Sequence, residues 1–123
     1  MPPRILIVSD DPFLGSLYVE KFEAVGCAVE LVRDAVLDRR TIEGFGPHGA
    51  LGAVAAPLGA REMVHAIRSA VGTATVPIAV LTDGDGGGTD QFGTASVLRK
   101  AAATPTEVVA AVRRSIAGVA REV

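Results

Sequence analysis

The run Arg4-Ile5-Leu6-Ile7-Val8-Ser9-Asp10-Asp11-Pro12 constrains the fold more than any other stretch. Apolar residues fill Ile5 to Val8 without alternation and then give way abruptly to polar ones. A strand written this way is buried on both faces, as in the middle of a parallel sheet. Asp11 supplies an N-cap oxygen, and Pro12 suits a first helical turn, where a missing N–H costs nothing. The strand therefore delivers acidic side chains to its carboxyl end, where a helix begins. In open α/β sheets that edge is where ligands and chemistry sit.

The remaining chain alternates in the same manner. Leu14, Leu17, Tyr18, Phe22 and Val25 mark one face of a helix, with Glu20, Lys21 and Glu23 mostly opposite and Gly26 as its stop. Ala28 to Val32 reads as a second strand, and Ala35 to Ile42 as a brief helix ended by Gly44, Gly46 and Pro47. The apolar run Ala50 to Ala55 is poor in strand formers, so only its place in the alternation makes it a third strand. A helix over Ala60 to Ala70 turns Met63, Val64 and Ile67 inward, and Val76 to Thr82 is a fourth strand with Pro77 near its start. The glycine-rich segment Asp83 to Asp90 cannot carry a stable helix. Ser96 to Arg99 is a short fifth strand. Thr104-Pro105-Thr106-Glu107 is a capping box that opens a last helix lined by Val108, Val112, Ile116 and Val119. These elements predict one α/β domain over residues 1–123, a doubly wound parallel sheet of five strands with helices on both faces.

Composition narrows the function classes. The chain has 49% hydrophobic and 21% charged residues, a globular balance with enough apolar mass for a core without disulfides. A net charge of −2 gives no electrostatic footprint for nucleic acid or an anionic membrane. Cys27 has no second cysteine to pair with and reads as a small buried hydrophobe. No run reaches membrane-spanning length, and the N-terminus lacks a signal-peptide pattern, so a cytoplasmic location is expected.

The strand-then-acids-then-Pro opening, within this alternation, resembles the receiver domain of two-component response regulators, a flavodoxin-like fold, over essentially the whole chain. In that family two acids after the first strand bind Mg²⁺. An Asp ending the third strand accepts a phosphoryl group, with a Thr or Ser ending the fourth strand and a Lys ending the fifth. A carboxylate nucleophile needs a metal, a hydroxyl and an ammonium to hold the incoming oxygens. Position by position, the acidic pair falls on Ser9 and Asp10, so the first acid is replaced, while Thr82 and Lys100 match. Pro47 and Pro57 fix a register that places the acceptor on Ala53. A slip of one residue gives Gly52, and no acid occurs from Ala50 to Ala60. Alanine cannot be a nucleophile.

Further departures agree. Ala101 follows Lys100 where the family has a cis proline, so a trans bond is expected. Val97 stands where the family carries a switching aromatic ring. The interval from Thr82 to Lys100 is short and glycine-rich, which shortens or removes the helix before the fifth strand. The resemblance is thus to a degenerate receiver whose pocket is Ser9, Asp10, Ala53, Thr82 and Lys100.

Several sharper readings yield to plainer ones. No metal or other cofactor is expected. Asp10 is the one candidate ligand, and an ion pair with Lys100 explains it more simply. The Asp83-Gly84-Asp85 loop fails calcium-loop spacing at Gly87 and Thr94. Gly44-Phe45-Gly46-Pro47-His48-Gly49 fits a dinucleotide motif in letters but precedes a strand. His48 and His65 have no ligand partners at suitable spacing and read as surface or boundary residues.

The expectation is a non-enzymatic signalling module that binds a protein partner or itself, through the last strand and last helix, and binds neither nucleic acid nor membrane. Val109 and Val123 lie off the main apolar stripe and are the candidate interaction surface. With no effector segment after the last helix, output is expected by contact. Two alternatives remain. One is a phosphorylatable regulator using another acid such as Asp10 or Asp83. The other is a small flavodoxin-like ligand-binding domain using the glycine loop.

Overall fold

The computed structural model describes residues 2–33, 38–53, 57–70, 75–82, 96–99 and 104–121. Strands β1 (Arg4–Ser9), β2 (Ala28–Val32), β3 (Gly49–Ala53), β4 (Ile78–Thr82) and β5 (Ser96–Arg99) form one sheet in the order β2-β1-β3-β4-β5. Every pairing is parallel. Helices α1 (Pro12–Ala24), α2 (Arg39–Phe45), α3 (Pro57–Ser69) and α4 (Pro105–Arg121) make up the rest. The helix-poor interval expected before β5 falls in residues 83–95, outside the described residues, as do the glycine loop and the Lys100–Ala101 peptide.

The unbroken run of β1 follows from its central position. Leu6 and Val8 pack into a cluster with Ile42, Met63, Val64 and Ile67, under α2 and α3. Ile5 and Ile7 pack into a second cluster with Tyr18, Phe22, Val108 and Val112, under α1 and α4. Helices therefore cover both sheet faces. Each of these fully buried aliphatic side chains contributes about 1.5–3 kcal/mol relative to exposure.

The weak strand propensity of β3 has a packing cause. Its side chains alternate between the faces, and its glycines make room for the helices. A Cβ on Gly52 would lie 2.6 Å from Met63 Sδ, and one on Gly49 would lie 2.8 Å from Ile116 Cδ1. Small residues let α3 and α4 sit close to the sheet.

Helix boundaries follow their caps. Asp11 Oδ1 accepts from the N–H groups of Phe13 (2.9 Å) and Leu14 (3.2 Å). At the other end of α1, Gly26 takes φ +86°. Its N–H reaches Glu23 O at 3.0 Å and that of Cys27 reaches Phe22 O at 3.0 Å, the two bonds of a Schellman stop. Thr104 and Glu107 make the reciprocal capping bonds expected of α4, at 3.2 and 3.1 Å.

Several expectations need correction, among them the start of β4, which is Ile78 and not Val76. Helix α2 runs from Arg39 to Phe45, later than Ala35 to Ile42, because Asp38 accepts from Thr41 N–H at 2.8 Å and fixes the start. Helix α3 starts at Pro57, not Ala60, since a proline is at ease in the first turn. Val25 is not inward: it caps α1 and is 41% exposed. Val109 is not an exposed edge of the last helix: it is only 5% exposed, because α4 packs on α1 as well as on the sheet. Val123 lies outside the described residues.

Candidate functional site

The carboxyl ends of β1 and β3 lie side by side, and Ser9 pairs with Ala53 in register. On the next strand Gly52 pairs with Val80, which places Thr82 at the same edge, at the end of β4. The sheet order thus brings Ser9, Asp10, Ala53 and Thr82 to one edge, with the end of β5 beside it. The side chain of Thr82 and the whole of Lys100 lie outside the described residues, and so does the expected Asp10–Lys100 pair.

Ser9 is the key to this edge. Its side chain is 4% exposed, and the hydroxyl lies 3.0 Å from the Ala53 carbonyl and 3.1 Å from that of Asp11. It also accepts the Asp11 N–H at 3.1 Å. One hydroxyl proton serves two carbonyls, and one lone pair serves an N–H. The group therefore ties the end of β1 to the end of β3 and to the start of α1.

The chemistry available here is limited. Ala53 is 1% exposed and belongs to the apolar cluster beneath α1 and α4. Its methyl group cannot attack a phosphoryl donor. Magnesium asks for near-octahedral oxygen ligation. The Ser9 hydroxyl is committed to backbone, Asp11 Oδ1 is committed to two helix N–H groups, and β3 ends without a carboxylate. Asp10 is exposed. Among the described residues no group of three or more potential metal ligands comes together. The described residues of this edge do not fit a magnesium site of the receiver kind.

Two features escaped the sequence reading. At the amino end of the sheet, His48 Nδ1 accepts the Arg4 N–H at 2.9 Å, and Arg4 Nε donates to Gly46 O at 2.9 Å. Desolvation, then the Arg4 guanidinium, hold the imidazole below its ordinary pKa. Nothing in a lone His next to a glycine announces that pairing. The second is a pair of shallow hollows beside α4, of about 290 and 440 Å³. The spacing Thr106, Ala110, Arg113 and Ala117 carried part of that signal, but its neighbours from α1 and Pro3 come only from the fold.

A parallel sheet in the order 2-1-3-4-5, with helices on both faces and polar residues gathered at its carboxyl edge, is the CheY-like, flavodoxin-like α/β fold. No family model and no curated protein matches the chain. Solved structures do match it. The receiver domain of sensor histidine kinase PA1611 from Pseudomonas aeruginosa, which holds a magnesium ion in its active-site cleft, superposes with a TM-score of 0.79 at 24% identity, covering 95% of this chain and 99% of that one. The chemotaxis response regulator CheY4 of Vibrio cholerae gives 0.74 at 19% identity, over 94% and 99%. A putative response regulator from Chloroflexus aurantiacus gives 0.69 at 22% identity, over 95% and 99%. These similarities establish a shared fold. Among the described residues no helix is long and apolar enough to cross a membrane.

Proposed function

We propose that this chain is a receiver-fold signalling module that acts through protein contact and is not switched by aspartyl phosphorylation. The observation that carries the reading is Ala53 at the acceptor position, with the Ser9 hydroxyl bonded to its carbonyl where the receiver pattern calls for a metal-binding acid. The module catalyses no reaction, works in the cytoplasm without a metal or other cofactor, and delivers its output to a protein partner.

The test is direct. The protein is incubated with acetyl phosphate, and separately with beryllofluoride, each with Mg²⁺. Intact mass and backbone amide spectra should stay unchanged. Stoichiometric phosphorylation, on Asp10, Asp83 or any other acid, would sink the reading.

A further inference from the structure

We infer that the face formed by the end of α1, most of α4 and Pro3 is a docking groove for an acidic amphipathic helix of a partner protein, an inference that rests on the contact-only function proposed above. Two hollows adjoin there and share Ala110 and Arg113. Ala24, Val25 and Val109 give the first an apolar floor, and Pro3, Ile116 and Ala117 continue it in the second. Val25 is 41% exposed on this floor, an apolar side chain that the fold itself leaves uncovered.

Among the described residues, the charged groups lining the groove are all cationic: Lys21, Arg113 and Arg114. Among the described residues none of the three is engaged in an ion pair. The nearby Glu107 is turned back onto the Thr104 N–H. From Thr106 to Ala117 the helix advances about 16 Å, roughly three turns, which matches an apolar stripe at i, i+3/i+4 and i+7 on a partner helix. Acidic residues flanking that stripe would meet the cations, giving orientation and encounter rate.

Other occupants fit less well. In a two-fold pair of this chain through the same face, one cationic face would meet another. An anionic membrane needs a cluster of cations beside a protruding apolar surface, whereas this floor is recessed and the chain carries a net charge of −2.

The experiment is an amide-spectrum titration of the ¹⁵N-labelled protein with a synthetic helical peptide bearing Leu at i, i+4, i+7 and i+11 and Glu on both flanks. A second peptide replaces every Glu with Lys. Saturable shifts confined to residues 21–25 and 106–117, produced by the acidic peptide and not by the basic one, are expected. Lys21→Glu with Arg113→Glu should weaken the acidic peptide about tenfold or more and admit the basic one. These positions are exposed, so the variant should keep its fold, checked by thermal melting. Val25→Asp, also on the surface, should weaken the acidic peptide through the floor and keeps the test independent of the double variant.

Equal binding of both peptides, shifts elsewhere, self-association through the same residues, or binding of anionic phospholipid vesicles in place of the peptide would each overturn the proposal. If the acidic peptide fails to bind and the protein also resists phosphodonors, the groove is refuted and the phosphorylation-independent reading stands. Phosphorylation would refute that reading whatever the titration shows.

Discussion

Ser9→Ala isolates the group that ties the carboxyl ends of β1 and β3 together. The hydroxyl spans the Ala53 and Asp11 carbonyls at 3.0 and 3.1 Å and accepts the Asp11 N–H at 3.1 Å, in a site where Ser9 is 4% exposed. One proton cannot serve both carbonyls fully, so the variant removes about two hydrogen bonds. At about 1 kcal/mol each, with a further cost for backbone groups left without a partner, the loss should be about 2–3 kcal/mol. For a domain of this length each kcal/mol lowers Tm by about 3–5 °C, so a fall of about 6–15 °C is expected. Urea denaturation and calorimetry should agree on it, with an unchanged m-value. Ser9→Asp adds a second arm. A carboxylate there would face two carbonyl oxygens and should destabilise more than alanine does, with no recovery in millimolar Mg²⁺. A Ser9→Ala variant within about 0.5 kcal/mol of the parent would refute the structural role given to the hydroxyl. Recovery of Ser9→Asp by Mg²⁺ would show that the edge still fits a cation.

Three further outcomes are expected. Gly52→Ala should cost about 1–3 kcal/mol by urea denaturation, because its Cβ would sit 2.6 Å from Sδ of the fully buried Met63; adding Met63→Ala should give a total loss smaller than the sum of the two single losses. Since the His48 pKa is lowered in the folded protein, the unfolded chain takes up its proton first as pH falls; stability should therefore decline from about pH 6.5 downward, and His48→Gln should flatten that window in denaturation curves between pH 7.5 and 5.5. Thr104→Ala should lower stability by about 1 kcal/mol, read as a Tm fall of about 3–5 °C, by opening the cap of α4.

The sequence made the architecture legible where one local rule acted alone. Asp11-Pro12, Gly26 and Thr104-Pro105-Thr106-Glu107 each impose a cap through their own chemistry, and the helix ends they mark stand where expected. The solid apolar run of β1 signalled its central place for the same reason. Boundaries slipped elsewhere. Helix α2 was read from Ala35, but it starts after Asp38, whose carboxylate reaches the Thr41 N–H. Val109 was misplaced because a stripe read from one helix does not show that a second helix, α1, lies against its flank. That Ser9, Ala53 and the end of β4 share one edge was legible, since strand ends order themselves by topology. The hydrogen bonds of Ser9 were not, because they depend on Ala53 lying directly across the ladder, and register between strands distant in sequence is a tertiary property.

Acids packed beside one another at the carboxyl edge repel and depend on a cation, so a receiver site of the ordinary kind is costly to the apo protein. Ser9 and Ala53 present at this edge a neutral hydroxyl bonded to a carbonyl and a methyl group buried in the core. The apolar clusters on both faces hold the sheet without any carboxylate among their members. Pro3 and Val25 precede β1 and β2, so the groove beside α4 reaches the amino end of the sheet, about 20 Å from Ser9 along the strand. Coupling over that distance would need an element with two arrangements that both sites bias. Val97, within β5, has no aromatic ring that could turn between two positions. A partner held at the amino end would therefore bind equally well whatever is done to the carboxyl edge. Affinity of the acidic peptide for Ser9→Ala should match that for the parent within about twofold at a temperature where both are folded. A loss of tenfold or more would mean that the two ends communicate after all.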